Sequence, residues 1–133
     1  MSKAKEAMAD VQLATNFSLS EFTCKDGTPV PDEYMNNVRL LAVNLQVLRD
    51  YLGEPVRINS AYRSPAYNEK IGGAKSSYHM KAMAADITVK SKTPKQLAAI
   101  IEKLIAEKKM KQGGLGIYPG FIHYDVRGRR ARW

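Results

Sequence analysis

The sequence predicts an α+β fold: a small single domain in which helices pack on a short antiparallel sheet. Three observations predict it. Apolar residues recur at three-and-four spacing in two stretches, Val38, Leu41, Leu45, Leu48 and Leu52, then Leu97, Ile101, Leu104 and Ile105. Each stretch is the mark of a helix with one buried face. Short runs with strand character lie between and after them, and a length of 133 residues supports one core but not two ordinary domains.

Taken in order, Ser18-Leu19-Ser20-Glu21 has capping-box spacing and predicts a helical turn over Leu19 to Phe22. The first long helix is expected from Glu33 to Tyr51, stopped by Gly53 and Pro55. Val56 and Ile58 alternate with Arg57 and Asn59, which reads as a half-buried strand running into a polar loop. Pro65 to Ile71 predicts a short helix broken by Gly72-Gly73, and Ala84 to Val89 a second strand carrying Asp86. Thr93-Pro94-Lys95-Gln96 starts the second long helix, with Lys108 and Lys109 set against the negative end of its dipole and Gly113-Gly114 as its stop. Two strands, Leu115 to Tyr118 and Phe121 to Val126, follow around Pro119-Gly120, and a basic tail closes on Trp133. Residues 1–15 read as an N-terminal segment and 16–133 as the folded domain.

Composition narrows the function classes. A hydrophobic fraction of 44% with 26% charged residues is that of a globular chain, and no apolar run reaches the roughly 18 residues a membrane span requires. The first residues lack the apolar core of a secretory signal, and the single cysteine, Cys24, cannot form an intrachain disulfide. Both features fit synthesis in the cytoplasm. A net charge of +8 predicts attraction to polyanions without saying which. The run Arg127-Gly128-Arg129-Arg130-Ala131-Arg132 reads as a solvated basic face or a contact for anionic wall polymers. It has no accompanying recognition motif, which argues against dedicated nucleic-acid binding. The chain is expected to be a monomer.

The only two histidines sit in suggestive surroundings. SSYHMKAMAADI sets His79 seven residues before Asp86, a loop residue and a strand residue able to meet at one ion. In FIHYDV, strand alternation puts His123 and Asp125 on one face and Ile122 and Tyr124 on the other. Two histidines and an aspartate are a donor set that leaves the fourth tetrahedral position of zinc open. From spacing alone, hydrogen-bonding or surface histidines explain the same residues.

The strings SAYRSPAYNEKIGGAKSSYHMKAMAADI and GGLGIYPGFIHYDVRG resemble the zinc-dependent M15 peptidases, the D-alanyl-D-alanine carboxypeptidase-like group, and in particular its compact branch of murein peptidases and phage endolysins. The resemblance implies a hedgehog/D-Ala-D-Ala-peptidase-like fold. It also implies zinc held by His79, Asp86 and His123, and hydrolysis of a peptide bond in peptidoglycan stem peptides or cross-links. Arg63 would engage a carboxylate or carbonyl of the substrate near the scissile bond. Ser77 would shape the loop before the first ligand. Tyr62, Tyr78 and Tyr118 flank these motifs in the sequence, where each reads either as lining of the cleft or as structural packing. Action on the wall would follow release from the cytoplasm, as through phage-induced membrane lesions.

Two positions depart from the family pattern. Ala82 stands where glycine is usual, which costs little unless the backbone there needs positive φ. Gly120 stands where some relatives carry an acid, which leaves Asp125 as the expected general base, with orientation of a ligating histidine as its rival role. The missing acid is also the warning sign for an alternative reading, a non-catalytic wall-binding protein that retains the peptidase fold.

Overall fold

The computed structural model describes residues 10–133, so most of the 1–15 segment lies outside the described residues. Strand β1 (Gln12–Ala14) pairs with β2 (Phe17–Ser18), and Leu13 and Ala14 pack against the core, so the described part of that segment touches the rest of the domain. The turn Leu19–Phe22 follows, a 3-10 helix in which Glu21 accepts from the Ser18 N–H at 2.8 Å.

Helix α1 (Met35–Leu52) buries Val38, Leu41, Leu45 and Leu48, as the apolar stripe predicts. Its approach, Asp32–Tyr34, is wound as a 3-10 turn, and Gly53 ends it in the left-handed conformation at φ 67°. Strand β3 (Arg57–Ser60) leads to α2 (Pro65–Lys70), where Ser64 Oγ caps the Tyr67 N–H at 3.1 Å. After the 3-10 turn Tyr78–Lys81 comes β4 (Ala84–Thr88), then α3 (Pro94–Ala106) behind a reciprocal Thr93–Gln96 cap.

The second long helix is shorter than expected. It stops at Ala106, and Lys108 takes a left-handed φ of 63°, so Lys108 and Lys109 lie past the helix end and not on its last turn. The Lys109 and Met110 N–H groups both return to the Leu104 carbonyl, which turns the chain and delivers Met110 into the core.

The last three strands are β5 (Gly114–Ile117), β6 (Ile122–Asp125) and β7 (Ala131–Arg132), and the large sheet has the order β3-β4-β6-β5-β7. Four strands are antiparallel, as expected, but β7 joins β5 in parallel, so the sheet is mixed. One face carries Ala85, Ile87, Ile122, Tyr124 and Leu115 into the core. The other carries the functional side chains. No helix among the described residues is long and apolar enough to cross a membrane.

Candidate metal centre

The β4–β6 register sets Asp86 opposite His123 and Ala84 opposite Asp125. Directly paired residues project from the same face of a sheet, so one face at its centre carries an aspartate, a histidine and a second aspartate. Their neighbours on that face are small. Gly116 lies opposite His123 on the other side, and Gly114 donates its N–H to Asp125 at 2.9 Å. A Cβ at Gly114 would overlap Asp125 Oδ2.

His79 arrives from the Tyr78–Lys81 turn. Ser77 starts that turn by accepting the His79 N–H at 3.1 Å, and Ala82 ends it with φ 57° and ψ 31°. The glycine-like position therefore does need positive φ, the one condition under which alanine is costly there. A left-handed alanine is strained on the order of 1–2 kcal/mol. Here its buried methyl sits in the core.

Each histidine has one ring nitrogen already committed. His79 Nδ1 lies 2.7 Å from the Ala61 carbonyl, which can only accept, so Nδ1 carries the proton. His123 Nε2 lies 2.6 Å from Asp125 Oδ2 and donates to it. That leaves His79 Nε2 and His123 Nδ1 with free lone pairs, 3.2 and 3.5 Å from the same Asp86 oxygen, Oδ1. All three atoms lie within 4.8 Å of one another. Tetrahedral zinc with bonds of about 2.0–2.1 Å separates its ligands by roughly 3.3 Å, so the donor set and its spacing fit this ion.

The electrostatics follow from the same bonds. Burial alone would raise the Asp86 carboxyl, but the His123 and His79 imidazoles beside it outweigh burial and hold that group well below the usual carboxylate range. Burial would lower His123, and its bond to Asp125 together with the neighbouring Asp86 carboxylate instead raises it. Asp125 is likewise lowered against its own burial, by His123, Arg127 and the Gly114 N–H.

Asp125 has 0% exposure and both oxygens are occupied. Oδ1 accepts from Gly114 N, Arg127 N and Arg127 Nε; Oδ2 accepts from His123 Nε2 and from Arg127 Nη2 at 2.8 Å. It stands behind His123, away from the Nδ1 side. Tyr124 points to the opposite face, where its hydroxyl donates to the Lys111 carbonyl at 2.7 Å.

A cavity of about 430 Å³ opens over the three ligands. Arg63, Ser77, Tyr78 and Tyr118 line it, whereas Tyr62 is buried in the core. Arg63 donates to Asp86 Oδ2 at 3.1 Å while keeping a face on the cavity. Gly120 lies outside this lining, beside a smaller hollow near α3. Among the described residues, Asp86 is the only carboxylate lining the ligand cavity.

Four contributors escaped sequence reading: Asn68, Phe121, Arg127 and Trp133. Asn68, buried, links the Gly72–Gly73 loop to Arg63 by bonding Ala74 O and accepting from Arg63 Nη1. Phe121 packs edge-on to Tyr118 in the cavity wall. Arg127 grips Asp125 and stacks 4.2 Å over the Tyr78 ring. Trp133 places its indole 5.0 Å from the His123 ring and donates to Tyr118 at 2.7 Å. A signal existed for Arg127, since the alternation His123, Asp125, Arg127 continues past the strand. The expectation of a solvated basic face fails for Arg127 and also for Arg132, which holds Glu102 through Nε at 2.7 Å and Nη2 at 2.9 Å.

The family model for Peptidase M15 matches residues 15–125, most of the chain, and the chain belongs to that family. Among curated proteins there is no match. The protein is therefore a metallopeptidase by family, with a His-Asp-His cluster able to hold the metal.

Proposed function

We propose that this M15 peptidase uses zinc to hydrolyse a peptide bond in bacterial peptidoglycan, in a stem peptide or a cross-link. The observation that carries the reading is the pair of free ring nitrogens, His79 Nε2 and His123 Nδ1, aimed with Asp86 Oδ1 at one point on the floor of an open cavity. Bound there, zinc supplies Lewis-acid polarisation and a water nucleophile at neutral pH.

The protein's own groups divide the remaining work. The Ala61 carbonyl and the Asp125 carboxylate fix the two histidine tautomers, so the metal-facing nitrogens stay deprotonated. Asp125 is proposed as the orienting group. Its rival role as general base asks a carboxylate with no exposed surface and both oxygens occupied to reach a proton in the cavity. Arg63 holds Asp86 from one side and offers its guanidinium to a substrate carbonyl or carboxylate from the other. Tyr78 and Tyr118 present hydroxyls to the same cavity, fixed by Arg129 and Trp133 respectively. The substrate lies outside the cytoplasmic membrane, so the reading includes release through membrane lesions of the kind a phage makes.

A second reading rests on the lack, among the described residues, of another carboxylate in the cavity: a wall-binding protein that keeps the fold and the ligands without turnover. Purified sacculi separate the two. Soluble peptide released by the protein, abolished by a chelator and restored by zinc, is the expected result; binding to sacculi with no released peptide at any zinc concentration would establish the second reading instead.

A further inference from the structure

The ligand face of the sheet continues one side chain beyond the metal ligands. Gly116 pairs with His123, so the next residue of β5 to share that face is Tyr118, just past the strand end. A residue set diagonally from a cross-strand partner lies about 7–8 Å from it, within reach of an aromatic side chain. The strand order β3-β4-β6-β5-β7 puts Asp86, with Arg63 bonded to it, on one side of His123 and Tyr118 on the other. Both Arg63 and Tyr118 line the ligand cavity.

Trp133 holds the Tyr118 hydroxyl toward that centre. Its backbone is fixed on both sides, N–H to Leu115 O at 3.2 Å and carbonyl to the Ile117 N–H at 2.8 Å. The indole fills the space over Gly116, since a Cβ there would overlap the indole nitrogen. That nitrogen, standing over the residue paired with His123, donates to the Tyr118 oxygen at 2.7 Å. Phe121 braces the phenol edge-on at 4.6 Å between ring centres, and the Tyr118 N–H returns to the Phe121 carbonyl at 3.0 Å. An indole only donates, so it occupies a lone pair of the phenol oxygen and leaves the phenol's own proton to point elsewhere. Among the described residues nothing accepts that proton, and the O–H stands in the cavity as an unspent donor.

We propose that Tyr118 is a catalytic residue: its hydroxyl, anchored by the Trp133 N–H, donates a hydrogen bond to the carbonyl oxygen of the scissile peptide bond as that oxygen gains negative charge. The inference rests on the hydrolytic reading above and adds a second donor on the side of His123 away from Arg63. A donor oriented before the charge develops stabilises it without reorganising at the moment of reaction. The indole bond supplies that orientation and polarises the phenol, which strengthens its O–H as a donor. The proton stays on the Tyr118 oxygen throughout. Trp133 is the positioning residue.

The test compares the zinc-loaded protein with its Tyr118→Phe variant, which removes the hydroxyl and keeps the ring against Phe121. Two small zinc-binding probes are titrated by calorimetry: acetohydroxamate, which sets a carbonyl oxygen beside the ion, and ethanethiol, which binds it through sulfur alone. The variant is expected to bind acetohydroxamate about 10- to 100-fold more weakly, the range for a hydrogen bond to a charged group. Its affinities for ethanethiol and for zinc itself should be unchanged. Release of peptide from sacculi should slow about 10²- to 10³-fold, the loss typical of one missing oxyanion donor. Trp133→Phe should weaken acetohydroxamate about 3- to 10-fold, the worth of one neutral hydrogen bond, and add no loss when combined with Tyr118→Phe. Equal binding of acetohydroxamate by Tyr118→Phe and the unaltered protein would overturn the proposal, as would a variant that weakens both probes alike. A Trp133→Phe loss undiminished in the Tyr118→Phe background would overturn the anchoring of the hydroxyl. If Tyr118→Phe cuts sacculi as fast as the unaltered protein, the hydrolytic reading stands and the role of Tyr118 falls. If neither cuts sacculi while acetohydroxamate still tells them apart, the donor stands and the hydrolytic reading falls.

Discussion

The two histidines of the centre are held in place by different means. His79 sits on a 3-10 turn and is oriented by a backbone carbonyl, that of Ala61, while its own carbonyl accepts the Arg63 N–H at 3.0 Å. His123 sits on a central strand and is oriented by a charged side chain, Asp125, itself clamped by Arg127. Side-chain substitution cannot remove the carbonyl behind His79. The aspartate behind His123 can be removed, so the strand half of the centre is where orientation can be detached from ligation.

The sharpest break comes from Asp125→Ala. It leaves the Arg127 guanidinium and the Gly114 N–H without their buried partner, and losing one member of a buried pair costs about 3–5 kcal/mol. Urea denaturation of the metal-free protein should show a loss of that size. Asp125→Asn keeps the shape but weakens the hold on His123, and zinc affinity should fall about 10- to 100-fold. Zinc bound as tightly as before, with turnover abolished, would restore Asp125 to the role of general base.

Arg63→Ala tests the turn half, where the guanidinium bridges ligand and cavity. Turnover should drop about 10²- to 10³-fold, the loss expected when one charge-stabilising donor is removed. Zinc stoichiometry near one, measured on the same preparation, would assign the loss to substrate handling, whereas loss of zinc would assign it to the support of Asp86.

Next in size is Gly116→Ala. The added methyl must push the Trp133 indole off His123, at a cost of about 1–3 kcal/mol for overpacking, and the fluorescence of this single tryptophan should shift as the ring moves into water. The smallest effect belongs to Ala82→Gly. Relief of left-handed strain is offset by backbone entropy and a lost buried methyl, so the unfolding free energy from urea denaturation should stay level or rise, by no more than about 1 kcal/mol. A clear loss of stability would show that the methyl matters more than the strain.

Much of this was legible in the sequence for a physical reason. The apolar stripes of α1 and α3 report local periodicity, and the alternation in FIHYDV fixes which residues face the ligands and which face the core. The capped start at Thr93 is equally local. The missed parts depend on encounters between distant segments. Nothing in Ala131-Arg132-Trp133 announces a two-residue strand parallel to β5, nor that the indole would land on His123. The early end of α3 was missed because charges at a helix terminus indicate a preference, whereas the turn at Lys108 is set by where Met110 must be buried.

The register of β4 against β6 has a kinetic consequence. His79 and Asp86 are seven residues apart and can approach each other early, but His123 comes 37 residues after Asp86 and meets it only when the two central strands are zipped in their final register. An ion offered to the unfolded chain finds two donors at most. The full grip exists only after the long loop between the strands has closed, a step that pays its entropy before any ligand bond can repay it. Metal should therefore leave the rate of folding nearly unchanged and slow the rate of unfolding, acting as a latch on a finished sheet.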